Sequence, residues 1–145
     1  FALFDGILIK DNHIIAAGGI ANALGRARAK APEGLKLEIE VENLEEVKLA
    51  LAEGADILLL DNMDVPTLRE AVKITEDFFR PEPRRVLLEA SGGVTLETVG
   101  EISKTGVDCV SVGAITHSAR ARDIGLDFVP LESYQQLRGE ESETP

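Results

Sequence analysis

A chain of 145 residues with 44% hydrophobic content is the length of one domain and can bury a sizeable core. Its 26 acidic and 15 basic residues give a net charge of -11, which excludes a general nucleic-acid or membrane-surface role but not a small, locally positive anion site. The single cysteine, Cys109, excludes an internal disulfide, and its apolar neighbours predict a small core residue.

Leu3 to Lys10 is mainly apolar and delivers Asp11-Asn12-His13, so a buried strand is expected to end in a polar cluster. The chain begins at Phe1, without methionine and already inside this strand, which suggests the later part of a longer polypeptide. Ile14 to Gly19 reads as a small-residue connection. Ile20, Ala23, Leu24 and Ala27 then mark one face of a helix that ends before Pro32-Glu33-Gly34. From Lys36 to Glu42 the residues alternate, with Leu37, Ile39 and Val41 on one side and Glu38, Glu40 and Glu42 on the other.

Asn43 and Glu46 open a capping-box-like helix with Val47, Ala50 and Leu51 on its apolar face, and Gly54 ends it. Ile57 to Leu60 is the next strand, far too short to span a bilayer, and Asp61-Asn62 closes it. Asp64 can cap a helix that tolerates Pro66 in its first turn and aligns Leu68, Ala71, Val72 and Thr75. Arg80 to Arg84 reads as a surface loop. Arg85 to Glu89 is a further strand, followed by Ser91-Gly92-Gly93. Thr95 is the expected cap of a helix with Leu96, Val99 and Ile102 at helical spacing, stopped by Gly106. Cys109 to Val112 is a short strand ending in Gly113-Ala114. Beyond Ala119 a last apolar piece runs from Leu126 to Val129, and Arg138 to Pro145 lacks the apolar residues a packed segment needs.

Strands and helices therefore alternate, five and four in number before the final piece. The connections are too short for anything but parallel crossovers. The polar residues decide between an open sheet and a barrel. Lys10, Glu40, Asp61, Ser91 and Gly113 fall at or near the ends of successive strands, where barrel enzymes gather their catalytic groups. Glycine turns after the last two strands let backbone N–H groups approach an anion, as in sugar-phosphate-binding barrels. The expected fold is thus α/β, a parallel, TIM-like (β/α) barrel of incomplete type.

Lys10 suits a carboxylate or phosphate oxygen, although a lysine at a strand end can simply reach for solvent. Glu40 and Asp61 could accept hydrogen bonds from ribose hydroxyls or hold Mg2+ through water; Asp61 also reads as a turn cap. Parity alone does not choose among Glu38, Glu40 and Glu42. His117 could donate to a phosphate or stand in a surface loop, and His13 and His117 lack the spacing of a metal pair. Arg26, Arg28, Arg84 and Arg85 read as solvated charges.

The segments DGILIKDNHI, AGGI, EIEVENLEEV, GADILLLDNM, LLEASGGVTLETV and TGVDCVSVGAITHSA, in order from Leu3 to about Phe128, resemble the later barrel part of the quinolinate phosphoribosyltransferase (carboxylating nicotinate-nucleotide pyrophosphorylase) family. The resemblance implies residues 1–130 as a partial α/β barrel catalytic domain without its N-terminal domain and first barrel elements, and 131–145 as a tail. It implies transfer of a phosphoribosyl group from phosphoribosyl pyrophosphate to quinolinate with Mg2+, giving nicotinate mononucleotide, pyrophosphate and carbon dioxide. It also implies a cytoplasmic homodimer or a larger assembly of dimers.

By the same resemblance Lys10 contacts quinolinate, and Glu40 and Asp61 hold the ribose hydroxyls and the metal–pyrophosphate. Ser91, Gly92, Gly93, Gly113, Ala114 and His117 cradle the 5-phosphate. Further basic residues of the family lie upstream of Phe1, so the chain alone is expected to be inactive. Two other readings fit the same motifs: a relative associated with molybdenum-transport genes acting on another substrate, and a non-catalytic phosphate-binding barrel module.

Overall fold

The computed structural model describes residues 5–79, 85–118, 121–122 and 124–126. Five strands, β1 (Gly6–Ile9), β2 (Lys36–Val41), β3 (Ile57–Asp61), β4 (Leu87–Ser91) and β5 (Cys109–Val110), form one sheet in the order β1-β2-β3-β4-β5. Every neighbouring pair is parallel. The helices are α1 (Asp11–Ala17), α2 (Ile20–Lys30), α3 (Leu44–Ala52), α4 (Val65–Phe78), α5 (Val99–Ile102) and α6 (Ala114–His117).

The alternation along β2 is the reason this sheet has two unlike faces. Leu37, Ile39 and Val41 are buried with Leu58 and Leu60 of β3 and Leu88 and Ala90 of β4. Ala23 and Leu24 of α2, Val47, Ala50 and Leu51 of α3, and Leu68 and Ala71 of α4 join them in the same core. Leu58 and Leu60 are 0% exposed, and burying each such side chain contributes about 1.5–3 kcal/mol. The intervening residues, Glu38, Glu40, Leu59, Asp61 and Glu89, take the opposite face by the period-two rule.

The strand entries repeat one device. In Gly54-Ala55-Asp56 and Gly106-Val107-Asp108 the aspartate N–H donates to Leu37 O (2.9 Å) and Leu88 O (2.8 Å), respectively. Its carboxylate accepts the N–H of that same residue, at 3.0 Å for Asp56 and 2.9 Å for Asp108. Each strand is thereby pinned in register to its predecessor. Gly106, at φ 100°, leaves its backbone close to Val72 of α4.

The expected caps form. Asn43 accepts from Glu46 N, while Glu46 Oε2 accepts from Glu42 N, one residue earlier than a standard capping box. Asp64 accepts from Thr67 N. Several expectations are corrected. The expected connection over Ile14–Gly19 lies mostly inside α1, which stops where Gly18 turns left-handed at φ 82°. The helix expected from Thr95 begins only at Val99. Thr95 N donates to Thr98 Oγ1 at 2.9 Å, so local side-chain bonds hold a turn there instead, and Leu96 is 92% exposed. β4 runs on to Ser91, and β5 stops at Val110.

Cys109 is exposed rather than in the core, because its register with Glu89 puts it on the carboxylate face. Arg28 and Arg85 are tethered, to the Gly54 carbonyl and to Asp108. The expected loop at Arg80–Arg84, the pieces at residues 1–4 and 127–129, and the tail from 131 lie outside the described residues.

Candidate functional site

Four strand ends meet at one mouth. Lys10 follows β1 directly and is the N-cap of α1, with extended backbone. Its N–H donates to His13 Nδ1 at 3.0 Å, and its carbonyl accepts from His13 N and Ile14 N. His13 thus fixes the backbone from which the lysine side chain projects. This role was open to reading from the three-residue spacing, which is that of a reciprocal cap.

Lys10 Nζ stands 3.7 Å from Glu40 Oε2, with side chains 54% and 10% exposed. Glu40 is buried at the end of β2, and its Oε2 has no hydrogen-bond partner. Burial raises the Glu40 carboxyl above its ordinary value; Lys10 opposes that shift, while Asp61, Asp11 and Glu42 add to it.

Asp61 ends β3 in register with Ser91 of β4, and its Oδ2 accepts from Asn62 Nδ2 at 2.6 Å. Asn62 takes a left-handed backbone, φ 53°, and its N–H donates to Ser91 O at 2.9 Å. Asparagine tolerates that conformation better than most residues, so the Asp61-Asn62 pair already carried the signal. Gly92 packs on this corner: a Cβ there would lie 2.8 Å from Asn62 N and closer still to its side chain. Gly93, at φ 59°, faces open space.

The second turn differs. Ser111 N still donates to Ala90 O, so both turns leave adjacent strands. Gly113 is the N-cap of α6 at φ -60° and ψ -33°, a conformation open to any residue. Its missing side chain makes room for the His117 ring, since a Cβ would lie 2.6 Å from Nε2. His117 Nδ1 is 2.9 Å from Ser118 Oγ, and Ala114 starts α6. Neither α5 nor α6 exceeds four residues, so neither brings the dipole of a long helix to these turns.

Glu40, Glu42 and Asp61 each offer a carboxylate oxygen, and these oxygens lie within 4.8 Å of one another. An all-oxygen set with one buried, unbonded acceptor fits a hard divalent cation such as Mg2+. Glu38 lies deeper on the same face, where burial, then Glu89, raises its carboxyl. Glu89 accepts from Ser111 Oγ, and burial, then Glu89, raises the Cys109 thiol.

A parallel sheet with helices between its strands and polar groups gathered at their carboxyl ends belongs to the α/β barrel class, here present in part. The fold alone is shared with a solved thiamine phosphate pyrophosphorylase from Pyrococcus furiosus, 24% identical, with TM-score 0.56 over 77% of this chain and 50% of that one. Residues 1–127 match the model of the quinolinate phosphoribosyl transferase C-terminal domain, and the chain belongs to that family. It is 48% identical over 126 residues to nicotinate-nucleotide pyrophosphorylase (carboxylating) of Mycobacterium leprae, covering 87% of this chain and 43% of that protein. It is 45% identical over 135 residues to the chloroplastic enzyme of the same name from Arabidopsis thaliana, covering 86% and 39%. The solved nicotinate-nucleotide pyrophosphorylase of Ehrlichia chaffeensis is 40% identical with TM-score 0.73, over 87% of this chain and 43% of that one. The chain therefore spans less than half the length of these relatives. Among the described residues no helix is long and apolar enough to cross a membrane.

Proposed function

We propose that this chain is the barrel part of a carboxylating nicotinate-nucleotide pyrophosphorylase, with residues 1–130 forming the catalytic barrel portion and 131–145 a tail. The observation that supports it is the ordered placement of Lys10, Glu40, Asp61 and Ser91 at or beside four successive strand ends, in a chain of this family. The working unit is a homodimer or an assembly of dimers.

The chemistry follows from charge. The anomeric carbon of phosphoribosyl pyrophosphate becomes cationic as pyrophosphate leaves. Glu40 and Asp61, fixed at the ends of neighbouring strands, stabilise that charge and accept hydrogen bonds from the ribose hydroxyls. Mg2+ held by the same carboxylates, directly or through water, would neutralise the departing pyrophosphate. Backbone N–H groups of Ser91-Gly92-Gly93 and Gly113-Ala114, with His117, hold the 5-phosphate and so orient the ribose. Lys10 pairs with a quinolinate carboxylate and sets the ring nitrogen toward the anomeric carbon. Once glycosylated, the ring nitrogen is cationic, and the adjacent carboxylate leaves as carbon dioxide with a proton taking its place.

The test uses a longer polypeptide carrying this chain together with the upstream part its relatives possess. Wild-type protein is expected to form nicotinate mononucleotide from quinolinate and phosphoribosyl pyrophosphate. Lys10→Ala is expected to weaken quinolinate binding by about 1.5–3 kcal/mol, the worth of a charge-assisted contact, without weakening phosphoribosyl pyrophosphate binding. No product from the wild type, or equal losses for both substrates in the variant, overturns the respective assignment.

A further inference from the structure

The two glycine turns are held by unequal means. The first is fixed from β3, since Asn62 N donates to Ser91 O at 2.9 Å and Gly92 packs on Asn62. The second follows β5, whose ladder with β4 covers only Cys109 and Val110. Ser111 N adds one bond to Ala90 O, and among the described residues no later main-chain bond joins the exit of β5 to β4. The carbonyls of Val112 and Gly113 accept instead from Ile115, Thr116 and His117 of α6.

A side chain supplies what this short ladder lacks. Glu89 of β4 is partly buried and stands in register with Cys109. Cys109 and Ser111 are two residues apart and share its face of the sheet. Glu89 Oε1 accepts from Ser111 Oγ, and Oε2 accepts from the Cys109 thiol at 3.8 Å. One carboxylate thus ties both residues to β4, and its charge makes the bond to the serine hydroxyl stronger than one between neutral groups. Beside a phosphate site that negative charge is otherwise a disadvantage, because it repels the ligand.

We propose that Glu89 is a positioning residue: by holding Ser111 it sets the Gly113-Ala114 turn at the distance from Ser91-Gly92-Gly93 that a phosphate group requires. The proposal rests on the assignment of these turns to the 5-phosphate above and adds a residue that touches no substrate. Ser111 is two residues from Gly113, so a shift at the exit of β5 passes into the turn and to His117, whose ring packs on Gly113. Backbone donors cannot re-aim by rotating a side chain, so their reach depends on the chain behind them. Charge and position therefore predict opposite effects. If Glu89 acted only as a charge, removing it would tighten the binding of a phosphorylated ligand. If it positions the turn, removing it weakens that binding.

The experiment uses the longer polypeptide with the upstream part and measures, by calorimetry, the binding of phosphoribosyl pyrophosphate and of quinolinate, each alone. Circular dichroism checks the fold of each variant. Glu89→Ala should raise Kd for phosphoribosyl pyrophosphate about tenfold and that for quinolinate less than about twofold. Glu89→Met, which fills the space but accepts no bond, repeats the test where the alanine variant does not fold. Ser111→Ala, at an exposed position, should also weaken phosphoribosyl pyrophosphate binding, and adding it to Glu89→Ala should cost nothing more. Glu89→Gln keeps an acceptor without the charge and should bind as the wild type does or tighter. Unchanged or tighter binding in Glu89→Ala, equal losses for both ligands, or no rescue by Glu89→Gln overturns the proposal. So does a loss in Ser111→Ala alone, which would put that hydroxyl on the ligand. Product formation by the wild type with unchanged binding in Glu89→Ala sinks only the positioning role. No product, with phosphoribosyl pyrophosphate binding still weakened in Glu89→Ala, sinks only the transferase reading. A wild type that binds no phosphoribosyl pyrophosphate overturns both.

Discussion

The two halves of the strand-end mouth are built on different terms. At the ends of β1, β2 and β3 the chain presents charged side chains, Lys10, Glu40 and Asp61, and capped helices follow within a few residues. At the ends of β4 and β5 it presents glycines, and the helices that follow are only four residues long. The strand entries are alike in both halves, since Asp56 and Asp108 make the same pair of bonds. The difference is therefore confined to the end where chemistry is expected. A carboxylate or ammonium ligand needs a rigid strand behind it to set its direction. A backbone ligand needs the strand to stop and the side chain to be absent.

Even within the glycine half the two turns use glycine for different reasons, and the largest expected effect comes from that contrast. Gly92 has φ 84° and touches the Asn62 backbone, so Gly92→Ala meets both backbone strain and a clash with a main-chain atom. The expected loss is about 2–4 kcal/mol in chemical unfolding. Gly113 has an ordinary helical backbone and meets only the end of the His117 ring. Gly113→Ala should stay within about 1 kcal/mol of wild type while moving His117. Equal losses at the two positions would mean that the turns are equivalent and that the contrast drawn here is wrong.

The shared entry device gives the next effect. Asp108→Ala removes the acceptor of the Leu88 N–H and the partner of Arg85. Stability is expected to fall by about 1–3 kcal/mol, the cost of an unsatisfied, partly buried donor. Urea unfolding of the variant beside the wild type reads that loss. Unchanged stability would show that the Leu88 N–H finds another acceptor and that the entry bonds do not hold the strand.

Much of the carboxylate half was legible because side-chain period and capping chemistry are local. The alternation Leu37-Glu38-Ile39-Glu40-Val41 fixed both faces of β2, and Asn43 and Asp64 cap where their types suggest. What period alone could not do was choose Glu40; burial singles it out, whereas Glu38 is only partly buried and lies two residues farther from the strand end, and Glu42 lies beyond the strand. α1 escaped because it is two turns long and buries no residue fully, only Ile14 and Ala17 packing partly against the core, which is too short a stripe to read. It is held by His13 and by the left-handed Gly18, signals that are individually weak. In the glycine half, Leu96, Val99 and Ile102 have helical spacing, yet Thr95 and Thr98 bond to one another and to the turn. Cys109 looked like a core residue because its neighbours are apolar; a two-residue strand takes its facing from register with Glu89, which no local pattern reveals.

The smallest expected effect lies beneath the mouth, where the two halves meet on the carboxylate face. Glu38 of β2 is partly buried, and the charge of Glu89 on β4 acts on it, so its carboxyl is held above the ordinary value of 4.5. A carboxyl raised in the folded state opposes folding when ionised. That penalty is fully present above the raised pKa and disappears as pH falls below 4.5, where folded and unfolded chains are both protonated. Glu38→Gln should therefore stabilise the chain at pH 7 by about 0.2–1 kcal/mol, the range for a partly solvated charge pair. The gain should shrink steadily as acid protonates the wild-type side chain. Urea unfolding of both proteins from pH 7 down to pH 4 reads the difference directly. A gain that stays constant across that range would come from packing of the amide rather than from removed charge. A loss at pH 7 would mean that the Glu38 carboxylate is held by a favourable contact, and that this face is not an unneutralised acidic surface.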